Sequence, residues 1–193
     1  MKDINFENLQ SLINEFASKY FDAALVIKNV MTKRVKWHTV EFIINETPEP
    51  SKRPRVSYGR RIYVPGAAKH RVFFDKYVRP TLNGLFITTP CRVKVESYFP
   101  IPKSFSKVQK ILAEMKILRP WVNNIGDVDN LFKTATDPLC PSEKLKLPGI
   151  MADDSLIIDS QSNKYYSMTP RVEITISYMG KIPDEIKKIL RIN

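Results

Sequence analysis

The run Asp127-Val128-Asp129-Asn130-Leu131-Phe132-Lys133 sets two carboxylates two positions apart and an amine four positions beyond the second, and another acidic pair, Asp153-Asp154, follows downstream. Oxygen-only donors suit hard cations. Mg²⁺, or Mn²⁺ in its place, is therefore the ion these side chains would take, keeping several waters and a position for a phosphate oxygen. Such an ion polarises phosphorus and acidifies a bound water, while Lys133 offsets the charge that builds in the transition state. This is the chemistry of metal-assisted phosphodiester hydrolysis. If Asp127, Asp129 and Asp154 converge, each pair repels by about 4 kcal/mol at about 4 Å and an effective dielectric of about 20, which a cation would relieve.

Taken singly, the same residues have plainer readings. Asp129 reads as the N-cap of a helix beginning at Asn130, Asp127 as loop, and Asp153-Asp154 as a solvated turn; it is their joint occurrence that points to a metal. An EF-hand is excluded because no glycine occupies the sixth loop position. Asp-x-Asp also occurs in sugar transferases, but the short length and basic balance of this chain disfavour that chemistry. His38 and His70 are the only histidines, which argues against a zinc hydrolase. Cys91 and Cys140 are the only cysteines, too few for a disulfide framework or a thiolate metal site. A reducing, cytoplasmic compartment is expected.

The 193 residues carry a formal charge of +11, more than solubility requires, so a polyanionic partner is expected. No run approaches the roughly 18 apolar residues of a membrane span, and the opening Met1-Lys2-Asp3-Ile4-Asn5-Phe6-Glu7 lacks the apolar stretch of a signal peptide. Nucleic acid rather than membrane is the expected partner. Arg53, Arg55, Arg60, Arg61, Lys69 and Arg71 cluster ahead of the acidic block and are the candidate contacts to the DNA backbone, since arginine forks match phosphate geometry.

The elements that must position these groups follow from periodicity. Phe6, Leu9, Leu12, Ile13, Phe16 and Tyr20 recur at helical spacing, predicting an N-terminal helical extension over residues 1–36, ahead of a catalytic domain over 37–193. Alternation predicts strands at Thr39 to Asn45, Cys91 to Phe99 and Val172 to Tyr178. Three prolines make Pro48 to Arg55 an extended loop; Tyr58 to Pro65 reads as a short basic strand or hairpin arm, and Ala67 to Val78 as a helix ending around Pro80. Ser106-Lys107-Val108-Gln109 has capping-box spacing, with Val108, Ile111, Leu112 and Met115 as the apolar stripe behind it. Pro138 limits the helix carrying Lys133, Asp153-Asp154 fall at a bend or strand start, and Asp184 to Leu190 reads as a closing helix. Strands and helices mix without regular alternation, which favours an α+β fold.

Five blocks, in order, carry a resemblance: Lys52-Arg53-Pro54-Arg55; Gly59-Arg60-Arg61-Ile62-Tyr63-Val64-Pro65; Phe99-Pro100-Ile101-Pro102-Lys103-Ser104; Gly126-Asp127-Val128-Asp129-Asn130-Leu131-Phe132-Lys133; and Asp153-Asp154-Ser155 with Lys164 beyond. From about Thr39 to Tyr178 the chain resembles the RusA family of Holliday junction resolvases, common in phages and prophages. The resemblance implies a mixed β-sheet with flanking helices and a homodimeric, Mg²⁺-dependent endonuclease that binds four-way DNA junctions and nicks two opposing strands. It places the catalytic roles on Asp127, Asp129, Asp154 and Lys133, and gives Asp153, Asp137 and Lys164 structural or auxiliary ones. Paired nicks call independently for two copies of one site. The chain departs from the family pattern at Ile125-Gly126, where Lys-Pro is usual, at Pro138, and in a longer loop from Pro141 to Pro148. The alternative expectation is a non-catalytic DNA-binding protein that keeps the fold and the basic surface.

Overall fold

The structure, a computed structural model, describes residues 36–50, 55–56, 62–63, 74–81, 83–121, 125–143, 146–181 and 184. The chain divides into two compact units, residues 1–37 with 179–193, and residues 38–178. The expected N-terminal helix lies outside the described residues, as does the closing helix apart from Asp184.

A four-stranded sheet organises the second unit. Its strands are β1 (Trp37–Ile44), β4 (Cys91–Pro100), β5 (Ile157–Ser167) and β6 (Arg171–Met179), in the spatial order β1-β6-β4-β5. β4 runs antiparallel to β6 and parallel to β5, so the sheet is mixed. Alternation decides which side is covered: Cys91, Val93, Val95 and Phe99 are buried on one face of β4, and Val93 and Val95 pair in register with Ile176 and Ile174 of β6. Phe42 and Ile44 of β1 complete that layer. The opposite face carries cross-strand and same-strand ion pairs, Arg92 with Asp159, Lys94 with Glu96 and Arg171 with Glu173. Antiparallel neighbours such as β4 and β6 commonly bury one face in this way.

Of the arm expected from Tyr58 to Pro65, Ile62–Tyr63 is described, as the strand β3, and it pairs antiparallel with β2 (Arg55–Val56). Residues 51–54 of the loop expected from Pro48 to Arg55 lie outside the described residues, and Arg55 belongs to β2. Of the helix expected from Ala67 to Val78, only Phe74–Val78 is described; it is a single π-helical turn followed by a 3₁₀ turn, Arg79–Thr81, that takes in Pro80.

Parallel neighbours need a long crossover. Between β4 and β5 it is built from α1 (Lys107–Glu114), α2 (Val128–Thr136) and two 3₁₀ turns, Asp137–Leu139 and Asp154–Leu156. The capping box forms as expected: Ser106 Oγ accepts from the Gln109 backbone N–H at 3.2 Å, and Gln109 Oε1 accepts from the Ser106 N–H at 2.8 Å. Replacing Ser106 with alanine should cost about 1 kcal/mol. A urea midpoint indistinguishable from wild type would contradict that. The apolar stripe behind the cap does not reach the core: Val108, Ile111 and Met115 are exposed, and α1 buries Ala113 instead, against Phe99, Leu131 and Tyr166.

Candidate active site

α2 begins two residues earlier than the sequence suggests. Val128, not Asn130, opens it, and Asp127, not Asp129, holds the N-cap with φ −80° and ψ 154°. Burial sets that phase. Leu131 packs with Phe99 and Tyr166, and Ala135 with the main core, while the Leu131 N–H closes the first turn on the Asp127 carbonyl at 3.1 Å. Asp129, Lys133 and Asp137 then lie at steps of four on the exposed side.

An aspartate at an N-cap ordinarily accepts a hydrogen bond from the helix's first N–H groups, yet the Asp127 side chain makes no such bond. Asp129, in the first turn, is exposed as well. Both carboxylates therefore sit at the positive end of the helix dipole, where negative charge is stabilised.

The turn into α2 is fixed from the sheet. Lys164 Nζ donates to the Gly126 carbonyl at 3.1 Å and Ser162 Oγ to the Val128 carbonyl at 3.3 Å. Gly126 itself has φ +87°, and a Cβ there would lie 2.5 Å from Pro50 Cβ. The departure at Ile125-Gly126 thus supplies a left-handed, tightly packed turn in front of the first acid. Lys164, assigned only an auxiliary place by resemblance, is the residue that ties this turn to β5.

The second acidic block is anchored at the other end of α2. The Leu139 carbonyl accepts from the N–H groups of Ile150 and Met151, at 2.8 and 3.1 Å, and Ile87 bridges to Met151. Gly149 makes this approach feasible, since a Cβ would lie 2.6 Å from backbone atoms of Leu139, Cys140 and Pro141. Asp153 caps the turn Asp154–Leu156 by accepting from the Ser155 N–H at 2.9 Å, and the Ser155 hydroxyl and then its N–H hold the Asp153 carboxyl below the usual range. Asp154 is exposed.

The turn carrying Asp127 is bonded to Ser162 and Lys164 of β5 through the Val128 and Gly126 carbonyls, and Asp154 precedes the start of the same strand at Ile157. Among the described residues no three His, Cys, Asp or Glu side chains are grouped to hold a metal ion. Asp127 and Asp129 form a pair at the start of α2, and Asp154 opens the turn that leads into β5. The pair by itself fits Mg²⁺, which takes one or two carboxylates and leaves its other positions to water and substrate phosphate. Of the expected DNA contacts, Arg53, Arg60, Arg61, Lys69 and Arg71 lie outside the described residues, and Arg55 is placed only by its backbone in β2.

Sequence reasoning passed over Cys140, which lies beside the second acidic group. Burial first, then the charges of Asp154, Asp153 and Asp137, push its thiol up to about 11 from 9.0. A thiol raised in this way stays protonated, and contributes its full stabilisation, below pH 9.0, and that contribution fades as the pH climbs through about 11. Alkylation of Cys140 by iodoacetamide at pH 8.5 should accordingly be slower than that of a free thiol. A rate matching free cysteine would show that neither burial nor the neighbouring carboxylates act on it.

Paired acids and a lysine on one crossover helix of a mixed α+β sheet, within a strongly basic chain, define a class of domain suited to phosphodiester substrates. The family model described as Endodeoxyribonuclease RusA matches residues 46–177, and the chain belongs to the RusA family of endodeoxyribonucleases. It is also 34% identical over 144 residues to a protein of Bacillus subtilis (strain 168) named "Uncharacterized protein YqaN", a match that spans 71% of this chain and 94% of that protein. Among the described residues no helix is long and apolar enough to cross a membrane.

Proposed function

We propose that the chain is a divalent-ion-dependent endonuclease that resolves four-way DNA junctions by paired nicks, working as a homodimer with one active site per copy. The observation that carries this reading is the Asp127 carboxylate, left uncommitted at the N-cap of α2 beside exposed Asp129 and Lys133. Asp127 and Asp129 would hold Mg²⁺ or Mn²⁺ together with a substrate phosphate. The bound ion would supply an acidified water and polarise phosphorus. Lys133, one turn along the same helix face, would stabilise charge on the phosphate oxygens, and Lys164 keeps the Asp127 turn in place. Asp154 retains its catalytic assignment from the family resemblance alone.

The formal charge of +11 is equally suited to a second reading, a DNA-binding protein that keeps the fold and the basic surface without turnover. One assay divides them. Purified protein is incubated with synthetic four-way junction, flap and linear duplex, with and without Mg²⁺. Mg²⁺-dependent nicking of opposing junction strands supports the first reading. Junction retention without nicking under any divalent ion supports the second, and indifference to all three substrates removes both.

A further inference from the structure

The sheet face turned away from α2 carries a cluster of cations that the acidic block does not use. Phe99 and Tyr166 point toward the helices, so their neighbours Tyr98 and Tyr165, paired in register on β4 and β5, point the other way. The two tyrosine rings stack at 5.3 Å and are buried. Lys116 Nζ lies 5.1 and 4.6 Å from their centroids, the Arg119 guanidinium 4.7 Å from that of Tyr165, and the Arg171 guanidinium 3.8 Å from that of Tyr98. Electron-rich ring faces hold like charges together that would otherwise separate.

The cations differ in what they have left to offer. Arg171 is committed, donating to Glu173 at 2.6 Å and to the Thr169 carbonyl at 3.0 Å. Glu96 is engaged by Lys94 at 3.1 Å. Lys116 uses one donor on Tyr98 Oη at 2.9 Å, and Arg119 uses its Nε on the Lys116 carbonyl at 3.5 Å. Neither Lys116 nor Arg119 forms an ion pair among the described residues, and both are exposed.

The backbone adds an independent observation. α1 ends in a Schellman motif, with the Lys116 N–H on the Ala113 carbonyl and the Ile117 N–H on the Leu112 carbonyl, both at 3.0 Å. Its left-handed position, φ +61°, is held by Lys116, where glycine would be relaxed. A strained side chain whose ammonium is then seated on two tyrosines is the kind of outlier that points to use.

We propose that Lys116 and Arg119, seated on Tyr98 and Tyr165 and buttressed by Arg171, form a docking surface for the phosphate backbone of DNA. The proposal rests on the DNA-cleaving reading and names a second contact for the same substrate. An ammonium and a guanidinium fork both match phosphate oxygens. Placement fits as well: β5 is an edge strand, Tyr165 follows Lys164, and Lys164 holds the Asp127 turn on the opposite face. A duplex backbone following that edge would meet both the cations and the acids.

The test is the salt dependence of junction binding by the full chain, measured by fluorescence anisotropy without divalent ion across a potassium chloride series. Each lost phosphate contact should reduce the log–log slope by about 0.9, so the double variant Lys116→Gly with Arg119→Gln should lose about 1.8. Lys116→Gly should melt close to wild type, because relief of the left-handed position offsets the lost contacts to Tyr98 and Tyr165, and Lys116→Arg should keep the slope. A fall in slope supports the surface whether or not the wild type nicks DNA. An unchanged slope overturns it even in a protein that nicks, and leaves the cluster a packing feature. A wild type that binds no DNA overturns both this surface and the nuclease reading.

Discussion

Asp127→Asn and Asp129→Asn are each expected to reduce Mg²⁺-dependent nicking of a four-way junction by roughly 10³-fold or more, with junction affinity unchanged or slightly improved. Asparagine keeps the shape and is as good an N-cap as aspartate, so α2 should still start at Val128. The change is confined to charge. Removing a carboxylate takes a ligand from the ion and a repulsive group from the DNA phosphates, so turnover and binding should move in opposite directions. A variant merely unfolded would lose both, which makes binding the internal control. Asp154→Asn is the discriminating companion, because Asp154 stands on a different element from the pair, the turn ahead of β5. Loss of nicking there as well would show that the second acidic group acts in the reaction; full activity would restrict the site to the start of α2. Full activity in all three variants would remove the catalytic assignment altogether.

How much of this was legible in the sequence depended on whether one physical signal acted alone. β4 and β6 alternate cleanly because one face packs on the core and the other is polar, and Ser106 with Gln109 forms the capping box that its spacing announces. β5 was not legible as a strand beyond its first residues. On its helix-facing side it places Ser162 and Lys164, whose hydrogen bonds to the α2 turn replace the apolar contacts that periodicity detects. The start of α2 was misplaced for a related reason: either aspartate is a suitable cap, and the choice was made by the burial of Leu131 and the turn at Gly126, both long-range effects. The acids themselves were legible as residues, and the backbone contacts that place the second block were not. Nothing local to Asp153-Asp154 reveals that the chain delivers them to the far end of α2, because that is fixed by Ile150 and Met151 meeting Leu139.

Gly126→Ala should be the most damaging substitution outside the acids, and two costs can be weighed against each other. Placing a side chain in the left-handed region, φ +87°, costs about 1–2 kcal/mol. The added Cβ also falls 2.5 Å from Pro50 Cβ and 2.7 Å from its Cγ, and overpacking of this kind costs about 1–3 kcal/mol. Against a typical domain stability of about 5–15 kcal/mol the sum is survivable. Activity is the more sensitive readout, since relief of the clash must move either Pro50 or the residue that precedes Asp127, and a shift of about 1 Å at a reacting group can cost roughly 10²-fold. The two costs separate experimentally. Adding Pro50→Gly to Gly126→Ala removes the clash and leaves the backbone strain, so most of the activity should return while part of the melting deficit remains. If the double variant recovers neither, the close approach of Pro50 is not what holds the turn; if Gly126→Ala alone is as active as wild type, the geometry ahead of Asp127 does not set the position of the acid.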